Sequence, residues 1–127
     1  MKQIVHSDFA PKAIGPYSQA VVVENSQLVY LSGQIPLDPQ TMTLVEGDIA
    51  VQTERVIKNI LAVCEAANGD LSNIVKLTIF LTDLSHFQRV NDVMSRYFEE
   101  PYPARSTIQV SALPKGASIE IEAVMAV

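Results

Sequence analysis

The chain has 127 residues, with 14 acidic and 9 basic side chains and a formal net charge of -5. No run of Lys or Arg exists, so a face that tracks phosphates or docks on an anionic membrane is disfavoured. With 48% apolar and 18% charged residues, the chain reads as one folded domain over 1–127, and its low charge leaves room for a subunit interface.

The opening Met1–Asp8 has no apolar run ahead of a cleavage site, the pattern expected of a protein without a signal peptide. Residues 7–16 are a polar, turn-rich loop with Pro11, Gly15 and Pro16. A strand is expected over 17–24, a hairpin connection at Glu24–Gln27, and a return strand over Leu28–Ser32, ended by Gly33. A short strand at 3–6 can precede them. Residues 35–47 form a long loop with Pro36 and Pro39, and loops of that length are often functional.

The best helix runs from Ile49 to Ala67. Ile49, Thr53, Val56, Ile57, Ile60, Leu61 and Cys64 recur at three-to-four spacing and give one apolar stripe. Asp48 is the expected N-cap and Asn68-Gly69 the stop. Ile74–Leu81 reads as a strand. A second helix is expected over 86–98, opened by a Ser85/Gln88 capping box. Strands at 105–110 and 118–126 close the chain, joined through Pro114-Lys115-Gly116. The fold class is therefore α+β, in the order β-(β-β)-α-β-α-β-β, with two amphipathic helices on one face of a mixed, mostly antiparallel sheet. The other face is expected to carry Tyr17, Gln19, Arg105, Thr107, Gln109, Glu120 and Glu122 among apolar strand residues. A partly apolar open face suggests sheet-to-sheet oligomerisation.

Arg105 and Glu120 are the most informative residues. Arginine is always charged and its rigid fork can hold a carboxylate bidentately, while a glutamate between Ile119 and Ile121 can move a proton or orient a water. The competing reading is a salt bridge between Arg105 and Glu120 or Glu122. Tyr17 either donates to a ligand or packs as a core or interface tyrosine. Ser32-Gly33 either offers a hydroxyl and bare backbone or simply ends a strand. His6 and His86 share no metal-ligand spacing with Cys64, so no metal is expected. A lone cysteine excludes an intrachain disulfide and fits a reducing, cytoplasmic setting. Cys64 lies on the helix stripe, as a core thiol would. No phosphate-binding glycine loop, nucleophile elbow or dinucleotide fingerprint occurs, leaving a cofactor-free reaction or simple binding.

Ala13-Ile14-Gly15-Pro16-Tyr17-Ser18-Gln19-Ala20 resembles the start of the RidA family, also called YjgF/YER057c/UK114. Leu31-Ser32-Gly33-Gln34-Ile35-Pro36, Gln52-Thr53, Asn59-Ile60, Val75-Lys76, Pro103-Ala104-Arg105-Ser106 and Ala112–Ala117 leading to Ile119–Ala123 agree in order. The resemblance implies a chorismate-mutase-like fold and a homotrimer with a pocket at each subunit interface. It implies hydrolysis of 2-imino acids (2-iminobutanoate, 2-iminopropanoate) to 2-oxo acids and ammonia, without cofactor.

Carried over, Arg105 would clamp the substrate carboxylate, Glu120 would activate water, and Tyr17 would orient and relay. Ser32, Gly33, Thr107, Asn91 and Phe87 would complete the binding pocket. Two departures stand out. Thr107 occupies a position where well-studied deaminases often carry cysteine, and the stretch between Asn91 and Arg105 is shorter than in some enteric members. The alternatives are a non-catalytic protein that binds a small carboxylate or regulates a partner, or the endoribonuclease or translation-inhibitor roles described for some relatives.

Overall fold

The computed structural model describes residues 2–127. Its strands are β1 (Lys2–Val5), β2 (Ala20–Val23), β3 (Leu28–Gln34), β4 (Ile74–Leu81), β5 (Ala104–Gln109) and β6 (Ile119–Ala126), and its helices are α1 (Ile49–Ala66) and α2 (Phe87–Tyr97). The expected element order is present. β3, β6, β4 and β5 lie side by side in a four-stranded mixed sheet, in which only the β4–β5 pair is parallel.

The apolar stripe of α1 accounts for its place. Val56, Ile57, Ile60 and Cys64 are buried against the sheet together with Val90, Val93 and Met94 of α2. Asp48 caps α1 as expected, its Oδ1 accepting from the Val51 N–H at 3.1 Å. At the other end Asn68 takes the left-handed conformation, with φ 65°. Gly69 is needed for room instead, since a Cβ there would lie 2.7 Å from Met125 Cε.

Three expectations are corrected. Glu24–Gln27 is not a hairpin: β2 pairs antiparallel with β1, while β3 pairs with β6, so these residues connect two sheets. β6 offers β3 a partner of eight residues, twice the length of β2. No Ser85/Gln88 capping box forms. A 3₁₀ turn at Leu84–His86 precedes α2, Asp83 Oδ1 accepts from the Ser85 N–H at 2.9 Å, and Gln88 donates to Asp92 instead. The long loop closes on itself through a Leu37–Leu44 bridge and through Asn59, which donates to the Leu37 carbonyl.

The third correction concerns the faces of the sheet. Leu77 of β4 pairs with Arg105 on one side and Ala123 on the other, so these three share a face. That face is the helix-covered one, since Leu77 and Ala123 are buried in the core. Glu120 pairs with Phe80, three residues on from Leu77, and therefore points to the opposite face. Arg105, Thr107 and Gln109 thus lie on the helix side of edge strand β5, whereas Glu120 and Glu122 lie on the open side.

The α1 cap gives a pH signature. The Asp48 carboxyl is held below its ordinary range by the Val51 N–H first and by Arg89 second. A depressed folded pKa contributes stability at neutral pH that is lost as pH falls through the folded value. Asp48→Asn is expected to lower the melting temperature at pH 7 and to flatten the acid limb of the stability curve below about pH 4. Thermal melts across pH measure both.

Candidate functional site

Strand β5 is held at its outer edge by the segment that follows Pro16. Ser18 bridges Ala104 in parallel, its N–H donates to the Pro103 carbonyl at 2.9 Å, and its Oγ donates to the Tyr102 carbonyl. Alternation then sends Tyr17 to the face that Arg105 occupies. The Arg105 guanidinium lies over two aromatic rings, 5.1 Å from the Tyr17 centroid and 5.4 Å from that of Phe87. Its Nη1 donates to Asn91 Oδ1 at 2.6 Å. Gly15 borders the same group, since a Cβ on it would sit 3.6 Å from Arg105 Nη2.

Two cation–π contacts of about 0.5–2 kcal/mol each fix the plane of the guanidinium without spending its charge on an anion. Burial pulls the Arg105 pKa downward, with Tyr17 acting the other way. The group stays protonated all the same, because arginine does not deprotonate in proteins. Among the described residues no carboxylate lies within ion-pair distance of it. The salt bridge to Glu120 or Glu122 that the sequence left open does not form. Thr107, two residues along the same face, has a buried Oγ1 with no hydrogen-bond partner among the described residues. An unpaired buried hydroxyl costs about 1–3 kcal/mol, so an incoming polar atom gains by meeting it.

A second cluster occupies the open face. The register of β3 slips between Leu31 and Gln34, placing Ser32 and Gly33 in an irregular stretch beside β6. The Glu120 carboxylate rests against Gly33: a Cβ there would overlap Oε2 and lie 2.8 Å from Cδ. Only glycine leaves that seat open. Ser32 is exposed beside it.

One chain therefore assembles Tyr17, Phe87, Asn91, Arg105 and Thr107 on one side, and Ser32, Gly33 and Glu120 on the other. Alternation keeps the two sets apart within a chain. Gly15 was missed in the sequence. Its signal is the Gly15-Pro16-Tyr17 triplet, which brings the backbone before Tyr17 alongside the arginine.

The remaining titratable groups stand elsewhere. His6 pairs with Asp8 at 2.9 Å on the surface. Burial, then the charges of Asp70 and Glu65, push the Cys64 thiol up to about 11, so it remains a core thiol. Among the described residues no group of three His, Cys, Asp or Glu side chains converges on a metal position.

Residues 8–127 match a family model described as Endoribonuclease L-PSP. The chain is 57% identical to Protein DfrA of Myxococcus xanthus over 123 residues, covering 97% of this chain and 94% of that protein. It is 44% identical to the human 2-iminobutanoate/2-iminopropanoate deaminase over 124 residues, covering 98% and 89%. Among solved structures, RidA from an Antarctic Psychrobacter superposes with a TM-score of 0.77 at 50% identity, covering 98% of this chain and 99% of that one.

The seat of Glu120 generates a direct test. Gly33→Ala is expected to fold and to drive the Glu120 carboxylate off the β3 backbone. The Glu120 side-chain carboxyl ¹³C resonance should shift while that of Glu122 stays in place. An unmoved Glu120 resonance would contradict the close approach.

Proposed function

The chain belongs to the RidA (YjgF/YER057c/UK114) family, and from that premise we propose that it hydrolyses reactive 2-imino acids, such as 2-iminobutanoate and 2-iminopropanoate, to 2-oxo acids and ammonia. The observation that carries this reading is the Arg105 cation, oriented by two rings and Asn91 and left without a carboxylate. It offers a planar fork for one carboxylate. The name of the human relative supports the substrate class. A net charge of -5 and a single ring-clamped arginine suit a small acid better than a chain of phosphates, although the family model is described as an endoribonuclease.

The reaction needs one carboxylate clamp, one positioned water and a proton carrier. Arg105 holds the carboxylate and Thr107 Oγ1 meets a polar atom next to it. Glu120 takes a proton from water as the oxygen bonds to the electrophilic carbon of the protonated imine, giving a carbinolamine. The carboxyl then returns that proton to nitrogen, and the C–N bond breaks as the C=O forms. The remaining hydroxyl proton leaves with ammonia as ammonium, with Tyr17 as relay.

Arg105 and Glu120 lie on opposite faces of one sheet, so a site that uses both takes them from two copies. The open face that carries Glu120 also exposes apolar side chains, with Tyr30 75%, Leu28 48% and Ile108 44% accessible. A homotrimer with three interfacial pockets covers this surface and joins the two half-sites. Among the described residues no helix is long and apolar enough to cross a membrane. We place the activity in the cytoplasm, where the single buried thiol is at home.

Three measurements test the reading. Purified protein added to 2-aminoacrylate or 2-aminocrotonate, generated in place by a dehydratase, should release oxo acid faster than the spontaneous rate. Release at the spontaneous rate sinks the proposal. Arg105→Ala should lose about 2–5 kcal/mol of transition-state binding, roughly 30-fold to several thousand-fold in kcat/KM. Mixing Arg105→Ala and Glu120→Ala chains, each inactive alone, should restore about a quarter of wild-type activity after subunit exchange, as random pairing across a cyclic interface requires. No recovery would place both residues in one chain's site.

A further inference from the structure

The loop before Tyr17 is held in place almost without apolar packing. Phe9 and Ile14, its two large apolar side chains, are 103% and 87% exposed. What ties it down is a side chain outside it. Gln19 Oε1 accepts from the Ser7 N–H at 2.6 Å, and Gln19 Nε2 donates to the Ser7 carbonyl at 3.2 Å and to the Pro11 carbonyl at 2.7 Å. The Gln19 amide thus pairs with both backbone groups of Ser7, as a neighbouring strand would, and reaches one further carbonyl.

The loop so closed delivers two groups to Arg105. Its last turn places Gly15 beside Nη2, and the Tyr17 N–H donates to the Gly15 carbonyl at 2.8 Å. The Ile14 N–H reaches the Tyr17 hydroxyl at 3.4 Å. Tyr17 is fixed from one side by the Ser18 contacts to the backbone before β5, and from the other by this loop. Ser18 is anchored independently of residues 7–11, by the Pro103 and Tyr102 carbonyls, whereas among the described residues no such backbone contact holds Gly15 against β5.

We propose that Gln19 is a positioning residue for the anion clamp: its side-chain amide closes the 7–17 loop and thereby holds Gly15 and Tyr17 against the Arg105 guanidinium. The clamp is the one assigned to the imino-acid carboxylate, so the kinetic part of the proposal rests on that reading, while the loop-closure part does not. Gln19 acts through Tyr17 and touches no substrate. Its effect should fall on substrate capture more than on the chemical step.

Charge at this position gives a signature that plain destabilisation lacks. A carboxylate at position 19 still accepts from the Ser7 N–H but faces the Ser7 and Pro11 carbonyls without a proton to donate. Protonation restores a donor. Gln19→Glu is therefore expected to raise KM about tenfold at pH 8, with kcat changed less than threefold, and to recover toward wild-type KM only as pH falls to about 4. Gln19→Leu should raise KM at every pH. Combined with Tyr17→Ala, it should add less than a factor of two to the KM of Tyr17→Ala alone, because the two act in series.

Amide hydrogen exchange reads the loop without any activity. In Gln19→Leu, exchange in 7–17 should speed up at least tenfold while β4 and β6 stay protected. If exchange in the loop is unchanged, or KM is unmoved where wild type is active, the proposal is overturned. If the wild type hydrolyses no imine yet the loop opens in Gln19→Leu, loop closure stands and the functional reading alone fails. General loss of protection in Gln19→Leu, with Gln19→Glu showing no pH-dependent recovery, would assign Gln19 a purely structural role and overturn its part in the clamp.

Discussion

Between Leu77 and Leu81, β4 pairs residue for residue with β5 on one side and with β6 on the other, and the rest of the molecule follows from that double register. It aligns Leu77, Ile79 and Leu81 with Ala123, Ile121 and Ile119, giving the helices one apolar surface to cover. The same parity turns Arg105 and Thr107 toward α2 and turns Glu120 and Glu122 away. A slip by one residue would exchange the faces of every side chain in the strand, exposing three fully buried residues of β4. The core thus fixes where the polar groups point, and the chemistry inherits an arrangement that packing enforces.

Around Arg105 the fold solves a particular problem. A half-buried cation needs company, and a carboxylate would be the strongest partner. It would also consume the fork. The Tyr17 and Phe87 rings and the Asn91 amide give orientation at modest strength. They leave most of the five guanidinium donors for a ligand. Glu120 is handled differently. It is seated by the absence of a side chain at Gly33, so shape places it, whereas two rings and one hydrogen bond place the arginine.

The element order was legible in the sequence because apolar spacing in α1, the β-rich run of β4 and the Ile-Glu alternation that opens β6 are strong local signals. Asp48 and the Asn68-Gly69 stop could be read for the same reason. What could not be read was parity between strands. Alternation tells which residues of β5 share a face, and separately which of β6 do, but only the pairing through β4 relates the two sets. Arg105 and Glu120 were accordingly expected on one face. The Glu24–Gln27 hairpin failed in a related way: its turn residues are local, while the partner of β3 lies some ninety residues away in β6. Ser85 and Gln88 have the right spacing for a capping box, yet Asp83 competes two residues earlier. The residues of the candidate site were named from their resemblance to a family and from their chemistry. Their division into two clusters, and the place of Gly15 beside the guanidinium, emerge only in three dimensions.

The stacked guanidinium has one more consequence. An arginine free in solvent carries about 2 kcal/mol of rotamer entropy, which any ligand that immobilises it must overcome. Held against the Tyr17 and Phe87 rings and bonded to Asn91, Arg105 surrenders much of that freedom when the chain folds, before a ligand arrives. A three- or four-carbon acid brings only six or seven heavy atoms to the encounter, and small ligands gain at most about 1.5 kcal/mol per atom. For a compound that small, a clamp that must first be frozen would forfeit a large part of the available affinity. In the clamp proposed for Arg105, freezing in advance would leave that affinity to the ligand.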